Sequence, residues 1–102
     1  MALDVFISPL AKMDIEGIHD FIASEDRSAA DRVLERIISV VGLLSDRPFL
    51  GPEFHETGLP DLRKMSVPPY IVFYRAYQNE LQVIRVLHGA RHLSDPALFP
   101  RK

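Results

Sequence analysis

The chain contains no cysteine. That excludes disulfides, thiolate nucleophiles and cysteine-ligated zinc or iron–sulfur centres, and it agrees with a cytoplasmic location. Glycine is sparse: there are five, none of them clustered, so no glycine-rich phosphate loop exists. No apolar run approaches the length of a membrane span. The opening MALDVFISPLAKMD lacks the basic stretch and long apolar segment of a secretory signal. Neither an internal repeat nor a low-complexity tract is present.

What remains is globular. With 102 residues, 47% hydrophobic and 25% charged, the chain reads as one domain over 1–102 with a modest core. The net charge of −2 gives no global argument for nucleic-acid binding. The charges are unevenly placed. Residues 1–51 hold 9 acidic and 5 basic side chains, while residues 52–102 hold 5 acidic and 7 basic. This fits either ordinary solvated helix faces or a positive functional face in the second half.

Hydrophobic patterning predicts the element order β, α, α, β, β, β. Leu3–Ile7 is a short strand. Ser8 caps the first helix, and Pro9 suits its first position because the missing N–H would be unpaired there anyway. Ala11, Ile15, Ile18 and Ile22 follow at helical spacing, with Phe21 beside them, as far as Ala23. Glu25-Asp26-Arg27 reads as the connection. Ser28 with Asp31 resembles a capping box for the second helix, whose stripe is Val33, Leu34, Ile37, Ile38, Val41 and Leu44, ending before Pro48. The short connection predicts an antiparallel helical hairpin. Phe49–Pro60 is a loop, Leu62–Val67 a strand and Pro68-Pro69 a turn. Tyr70–Tyr77 and Glu80–Leu87 form a β-hairpin across Gln78-Asn79. Ser94-Asp95-Pro96 starts a last helical turn.

The resulting fold class is α+β. A helical hairpin packs on one face of a small, twisted, mainly antiparallel sheet, and a short C-terminal segment follows. The hairpin strands are apolar on both faces. One carries Tyr70, Val72, Tyr74, Leu81, Val83 and Leu87; the other carries Ile71, Phe73, Ile84 and Val86. The helices cover only one face, so the second is covered by the C-terminal segment, by the chain's own loops or by a partner chain.

The histidines His19, His55, His88 and His92 give no convergent metal set, and no metal or other cofactor is expected. His19 is placed on the outer side of the first helix and His55 in a solvated loop. Asp14, Glu16 and Asp20 read as the solvent side of that helix. No Ser/His/Asp nucleophile arrangement stands out. The basic set is more suggestive. Arg63, Arg75, Arg85 and Arg91 come from neighbouring strands and could converge on a phosphate or an acidic partner. Alternatively, Arg75 and Arg85 pair with acids or lie over Tyr70 and Tyr74. Arg63, Tyr70, Tyr74, Arg75, Arg85 and Arg91 are the partner-binding candidates. Arg91 either tethers the C-terminal segment through Asp95 or Asp61, or is held ready for a target.

The phrases ADRVLERI, LRKMSV, YIVFYR and IRVLHGARHL resemble the RelE/ParE superfamily of bacterial type II toxin–antitoxin toxins, over about Val5 to Leu93. The closing IRVLHGARHL is similar to the ParE branch. The resemblance implies a toxin silenced by a ParD-like antitoxin. It also implies inhibition of DNA gyrase, no enzymatic activity, no membrane partner and no sequence-specific DNA binding by this chain alone. The alternative within the superfamily is a RelE-like ribosome-dependent mRNA endonuclease. RelE's pattern places two lysines on the strand after the helices, an arginine on the next strand, an arginine past the last strand and a C-terminal tyrosine. In this chain Arg63 falls at the first lysine position, Met65 at the second and Ile71 at the strand arginine. Arg91 matches the post-strand arginine, and no tyrosine follows Tyr77. A nuclease would have to rely on Arg63, His88, Arg91 and His92. A third alternative is a degenerate member that only binds antitoxin.

Overall fold

The computed structural model of the chain describes residues 2–91, 93 and 95–99. Strand β1 (Asp4–Ile7) leads into helix α1 (Pro9–Ala23), and helix α2 (Arg27–Asp46) returns antiparallel to it. Strands β2 (Arg63–Val67), β3 (Tyr70–Tyr77) and β4 (Glu80–His88) follow, then a single 3-10 turn at Pro96–Leu98. This is the order predicted from the sequence.

Local chemistry sets the boundaries. Ser8 Oγ accepts from Ala11 N–H at 3.1 Å and caps α1, with Pro9 in its first turn. The cap of α2 is Asp26 and not the expected Ser28: the Asp26 carboxylate accepts from Ala29 N–H at 3.1 Å, and the helix begins two residues early. Aspartate is as good a cap as serine, and here it comes first. Gln78 and Asn79 both take positive φ, 54° and 63°, which is the turn whose twist matches a two-residue hairpin.

The sheet order is β1-β4-β3-β2. β2, β3 and β4 pair antiparallel, whereas β1 joins the edge of β4 in parallel. One β4 residue, Ile84, has no partner where Phe73 opposes Arg85 and Tyr74 opposes Val83. This bulge shifts the alternation of β4 by one position. The expected faces are corrected accordingly. Val86 lies in the helix-side core with Val72, Tyr74, Leu81 and Val83, and Leu87 lies in the core on the other side.

That second core answers the question of the uncovered face. Phe73 and Leu87 pack with Phe54 and Leu62 from the loop and with Leu98 and Phe99 from the C-terminal segment. Phe73 and Phe99 meet edge to face at 4.9 Å. The chain covers most of its own second face, with Ile71 and Ile84 left partly buried. Tyr74 anchors the same loop from the helix side: its hydroxyl accepts from Gly51 N–H at 2.8 Å. Gly51 is required there, because a Cβ would lie 2.3 Å from the Lys64 carbonyl oxygen.

Candidate docking site

The four arginines do not converge. Arg63 lies cross-strand from Tyr74 on the helix side, and Arg75 lies cross-strand from Gln82 on the opposite face. Arg63 holds the loop: its guanidinium donates to Gly51 O at 2.7 Å and meets Glu53 at 3.3 Å over the Phe49 ring. Arg75 donates to Gln82 Oε1 at 2.9 Å and lies over Tyr77, its guanidinium carbon 4.3 Å from the ring centre. Tyr70 and Tyr74 are core residues, 8% and 0% exposed, and only Tyr70 reaches a surface hollow, beside His88. Burial pushes the Tyr74 hydroxyl's pKa above the ordinary tyrosine value, against the smaller opposing effects of the Gly51 N–H and the Arg63 charge.

Arg85 is likewise no free cation. Its Nε and Nη2 donate to the two oxygens of Asp14, each at 2.8 Å, and its Nη1 donates to Leu98 O at 2.8 Å. The hydrogen bond to Asp14 is the main cause holding its pKa above the ordinary arginine value. Asp14 was expected on the solvent side of α1 and is instead buried in this pair, the two side chains being 11% and 12% exposed. The reason is at the sheet edge. β1 pairs with β4 only as far as Ile7 and Val83, so Val86 N–H has no strand neighbour, and Asp14 accepts it at 3.0 Å. The sequence carried a signal for this. Asp14 is three residues after Ala11 and four before Ile18, inside the apolar stripe of α1.

Arg91 follows β4, and its N–H donates to His88 O at 3.0 Å. Among the described residues its side chain meets neither Asp61 nor Asp95; the Asp95 carboxylate accepts from Ala97 N–H instead. His88 is exposed and packs edge to face on Tyr70 at 5.5 Å. Ala90 N–H donates to its Nδ1 at 3.0 Å, so the neutral ring carries its proton on Nε2. His92 lies outside the described residues. His19, expected on the outer side of α1, bonds across the helical hairpin to Asp31 at 2.9 Å.

Arg91, His88 and Tyr70 line an open hollow of ≈ 310 Å³ whose other wall is Gly17, Ile18 and Phe21 of α1. Beside it runs an apolar ridge that the sequence reading did not single out. Leu10, Met13 and Phe21 share a face of α1 with Gly17, and Met13 and Phe21 are 66% and 78% exposed. Nothing lies within 4 Å of where a Gly17 Cβ would stand, so a partner backbone can approach closely there. The ridge is an apolar surface next to a cation and an imidazole, the composition of a protein-docking patch.

Comparison with known proteins gives two findings. Residues 5–93 match the family model described as the ParE toxin of the type II toxin–antitoxin system parDE. Among solved structures, the chain is similar to one from a chromosomal ParDE toxin–antitoxin system of Pseudomonas aeruginosa, with a TM-score of 0.71 and 18% identity over 85% of this chain and 96% of that one. It is also similar to one from the RelBE2 toxin–antitoxin complex of Mycobacterium tuberculosis, with a TM-score of 0.66 and 18% identity over 86% of this chain and 99% of that one. No curated protein sequence matches significantly.

Proposed function

Because this chain belongs to the ParE toxin family of type II toxin–antitoxin systems, we propose that it acts by binding, with DNA gyrase as its target and a ParD-like antitoxin as its keeper. The observation that carries this reading is the family match across residues 5–93, which spans both helices and all four strands. The docking patch on α1 supports it. An exposed ridge of Leu10, Met13 and Phe21 is suited to burying apolar area against another protein, which stabilises a complex by roughly 25 cal/mol per Å² removed from water before the costs of association.

The same site is poorly equipped for cleaving RNA. Transfer of a ribose 2′-hydroxyl onto phosphate needs a base, an acid and cations for the developing charge. His88 presents only a neutral Nε2–H while its Nδ1 accepts from Ala90 N–H, and Arg91 supplies a cation. The carboxylate that lines the same hollow, Asp14, is held by Arg85 and Val86 N–H. Arg63, the residue at RelE's first lysine position, is bound into the loop by Gly51 O and Glu53.

The test separates binding from catalysis. Met13→Glu and Phe21→Glu, alone and together, place charge on exposed positions and should leave the fold intact. The double variant is expected to lose growth inhibition, or antitoxin neutralisation, or both. His88→Ala is expected to retain toxicity. A toxin that survives the ridge variants unchanged and is silenced by His88→Ala would overturn the proposal in favour of a nuclease.

A further inference from the structure

Strand β1 leaves its outer edge bare, although the chain closes the edge beside it. Past Val83, where β1 stops, Ser8 Oγ donates to Ile84 O at 2.8 Å and Asp14 accepts Val86 N–H at 3.0 Å. Side chains thus close the part of β4 that β1 does not reach. The outer side of β1 has no such cover. Asp4–Ile7 contains neither proline nor lysine and pairs with β4 without a bulge. A strand edge lacking those features is a template for another strand.

The free groups on this edge can be assigned. Ser8 N–H donates to Val83 O at 3.0 Å, so Ser8 turns its backbone toward β4. Backbone groups alternate along a strand, so Asp4 and Phe6 turn the same way, while Leu3, Val5 and Ile7 turn outward. Leu3 agrees: its N–H leaves the sheet and donates to Ser45 O, in the last turn of α2, at 2.9 Å. Among the described residues, the outward N–H and C=O of Val5 and Ile7 have no partner. The side chains beside them are apolar and open on both faces. Val5 stands next to Leu81 on the helix side and Phe6 next to Gln82 on the other, and each is 45% exposed.

This edge is its own complement. Val5 and Ile7 lie symmetrically about Phe6. With a second copy laid antiparallel and Phe6 opposite Phe6, Val5 of each chain faces Ile7 of the other, and the two exchange both backbone bonds. The next such pair, Leu3 with Pro9, asks for no donor, since Leu3 N–H is occupied by Ser45 O and proline has none. Other registers fit worse. Centring the pair on Val5 sets Ile7 against the occupied Leu3, and centring it on Ile7 sets Val5 against Pro9. In the favoured register the two Phe6 residues form a close, non-hydrogen-bonded pair, with Cα atoms about 4.5 Å apart and rings adjacent on the open face. Asp4 carries the strand's one charge. Across the axis the two Asp4 residues are separated by four strand positions, about 13–14 Å, which exceeds a Debye length of about 8 Å at physiological salt.

We propose that the partner of the β1 edge is a second copy of this chain, paired antiparallel about Phe6 so that two sheets join into one. The pairing is isologous and uses up the edge, so assembly stops at the dimer. Strands this short bury less than the roughly 1,200 Å² of a standard interface, so the dimer is weak, with a Kd on the order of 10–1,000 µM. The edge shares no residue with the α1 ridge or its hollow, so its failure would leave the proposed target untouched.

Sedimentation equilibrium of the purified full chain, from about 10 µM to 1 mM, measures the association across that range of Kd. The expected result is a mass that rises from one chain to two and no further. Proton–nitrogen NMR spectra over the same concentrations should show the Val5 and Ile7 amides shifting. A mixture of carbon-13-labelled and unlabelled chain should give a contact between the Phe6 Hα protons of different molecules, which this register alone produces. Phe6→Lys sets like charges directly opposite one another and should weaken the dimer by about tenfold or more, as should Phe6→Glu. An equimolar mixture of the two should associate again. Val5→Pro removes an outward donor at a position where an edge strand tolerates proline, and it carries the test if the Phe6 variants lose the dispersed spectrum of a folded chain. A chain that stays monomeric up to about 1 mM overturns the proposal. So does association that survives Phe6→Lys or Val5→Pro unchanged in a folded chain, shifts at Ser66 or on the α1 ridge in place of β1, or growth beyond two chains.

Discussion

Replacing Asp14 should test whether the helical hairpin is locked to the sheet by one buried ion pair. The Asp14 carboxylate accepts two bonds from Arg85 at 2.8 Å and one from Val86 N–H at 3.0 Å. Both side chains are about one-ninth exposed, so solvent screens the pair little. In Asp14→Ala, Arg85 becomes a buried cation with one remaining acceptor, Leu98 O. Removing one partner of a buried pair costs about 3–5 kcal/mol, and leaving a buried N–H unpaired about 1–3 kcal/mol, part of which entering water recovers. A loss of about 4 kcal/mol is expected against a total of roughly 5–15 kcal/mol for a domain of this kind. At about 4–8 °C per kcal/mol for a domain near 100 residues, the melting temperature should fall by roughly 15–30 °C. Urea unfolding followed by circular dichroism measures the free energy directly. Adding Arg85→Met removes the stranded charge, so Asp14→Ala/Arg85→Met should be less destabilised than the sum of the single variants. A loss below about 1 kcal/mol for Asp14→Ala, or strict additivity in the double variant, would refute the reasoning.

Tyr74→Phe should cost about 1–3 kcal/mol by leaving Gly51 N–H unpaired in a buried site. The folded-state pKa of Tyr74 is raised, so its contribution is complete below the unfolded value of about 10 and is lost as pH rises through the folded value. The gap in stability between wild type and Tyr74→Phe should therefore narrow above about pH 10, which melting curves at a series of alkaline pH values would show. Gly17→Ala meets nothing within 4 Å and should stabilise α1 by about 1 kcal/mol through helix propensity, so weaker partner binding in that variant could not be ascribed to unfolding. Arg91→Ala should change stability by less than about 0.5 kcal/mol, because its side chain is exposed and meets neither Asp61 nor Asp95; a larger loss in a urea titration would restore the tether reading.

The fold was largely legible because each element announces itself locally. Apolar periodicity gave both helices, β-branched and aromatic runs gave the strands, and Gln78-Asn79 gave the hairpin turn. What could not be read depends on contacts between elements. The bulge at Ile84 has no local signature, yet it exchanges the faces of Val86 and Leu87. Whether the second sheet face is bare depends on Phe54, Leu62, Leu98 and Phe99, which lie in segments with no regular pattern. The arginines illustrate the same limit. Their strands are adjacent, but facing and register decide that Arg63 and Arg75 point opposite ways and that Arg85 meets Asp14. The ridge on α1 was the clearest omission. Met13 and Phe21 are ordinary helix residues in the sequence and become an exposed apolar ridge only because the sheet lies on the other side of α1.

The central claim is that this chain acts by binding gyrase and not by cutting RNA, and one pair of reactions with the purified chain tests it most directly. Gyrase supercoiling of relaxed plasmid and cleavage of messenger RNA on translating ribosomes are assayed side by side, with equal amounts of the chain. The account predicts that supercoiling is inhibited and broken plasmid accumulates, while the ribosome-bound message stays whole. Unimpaired supercoiling together with cleavage of the message at codon boundaries would contradict it.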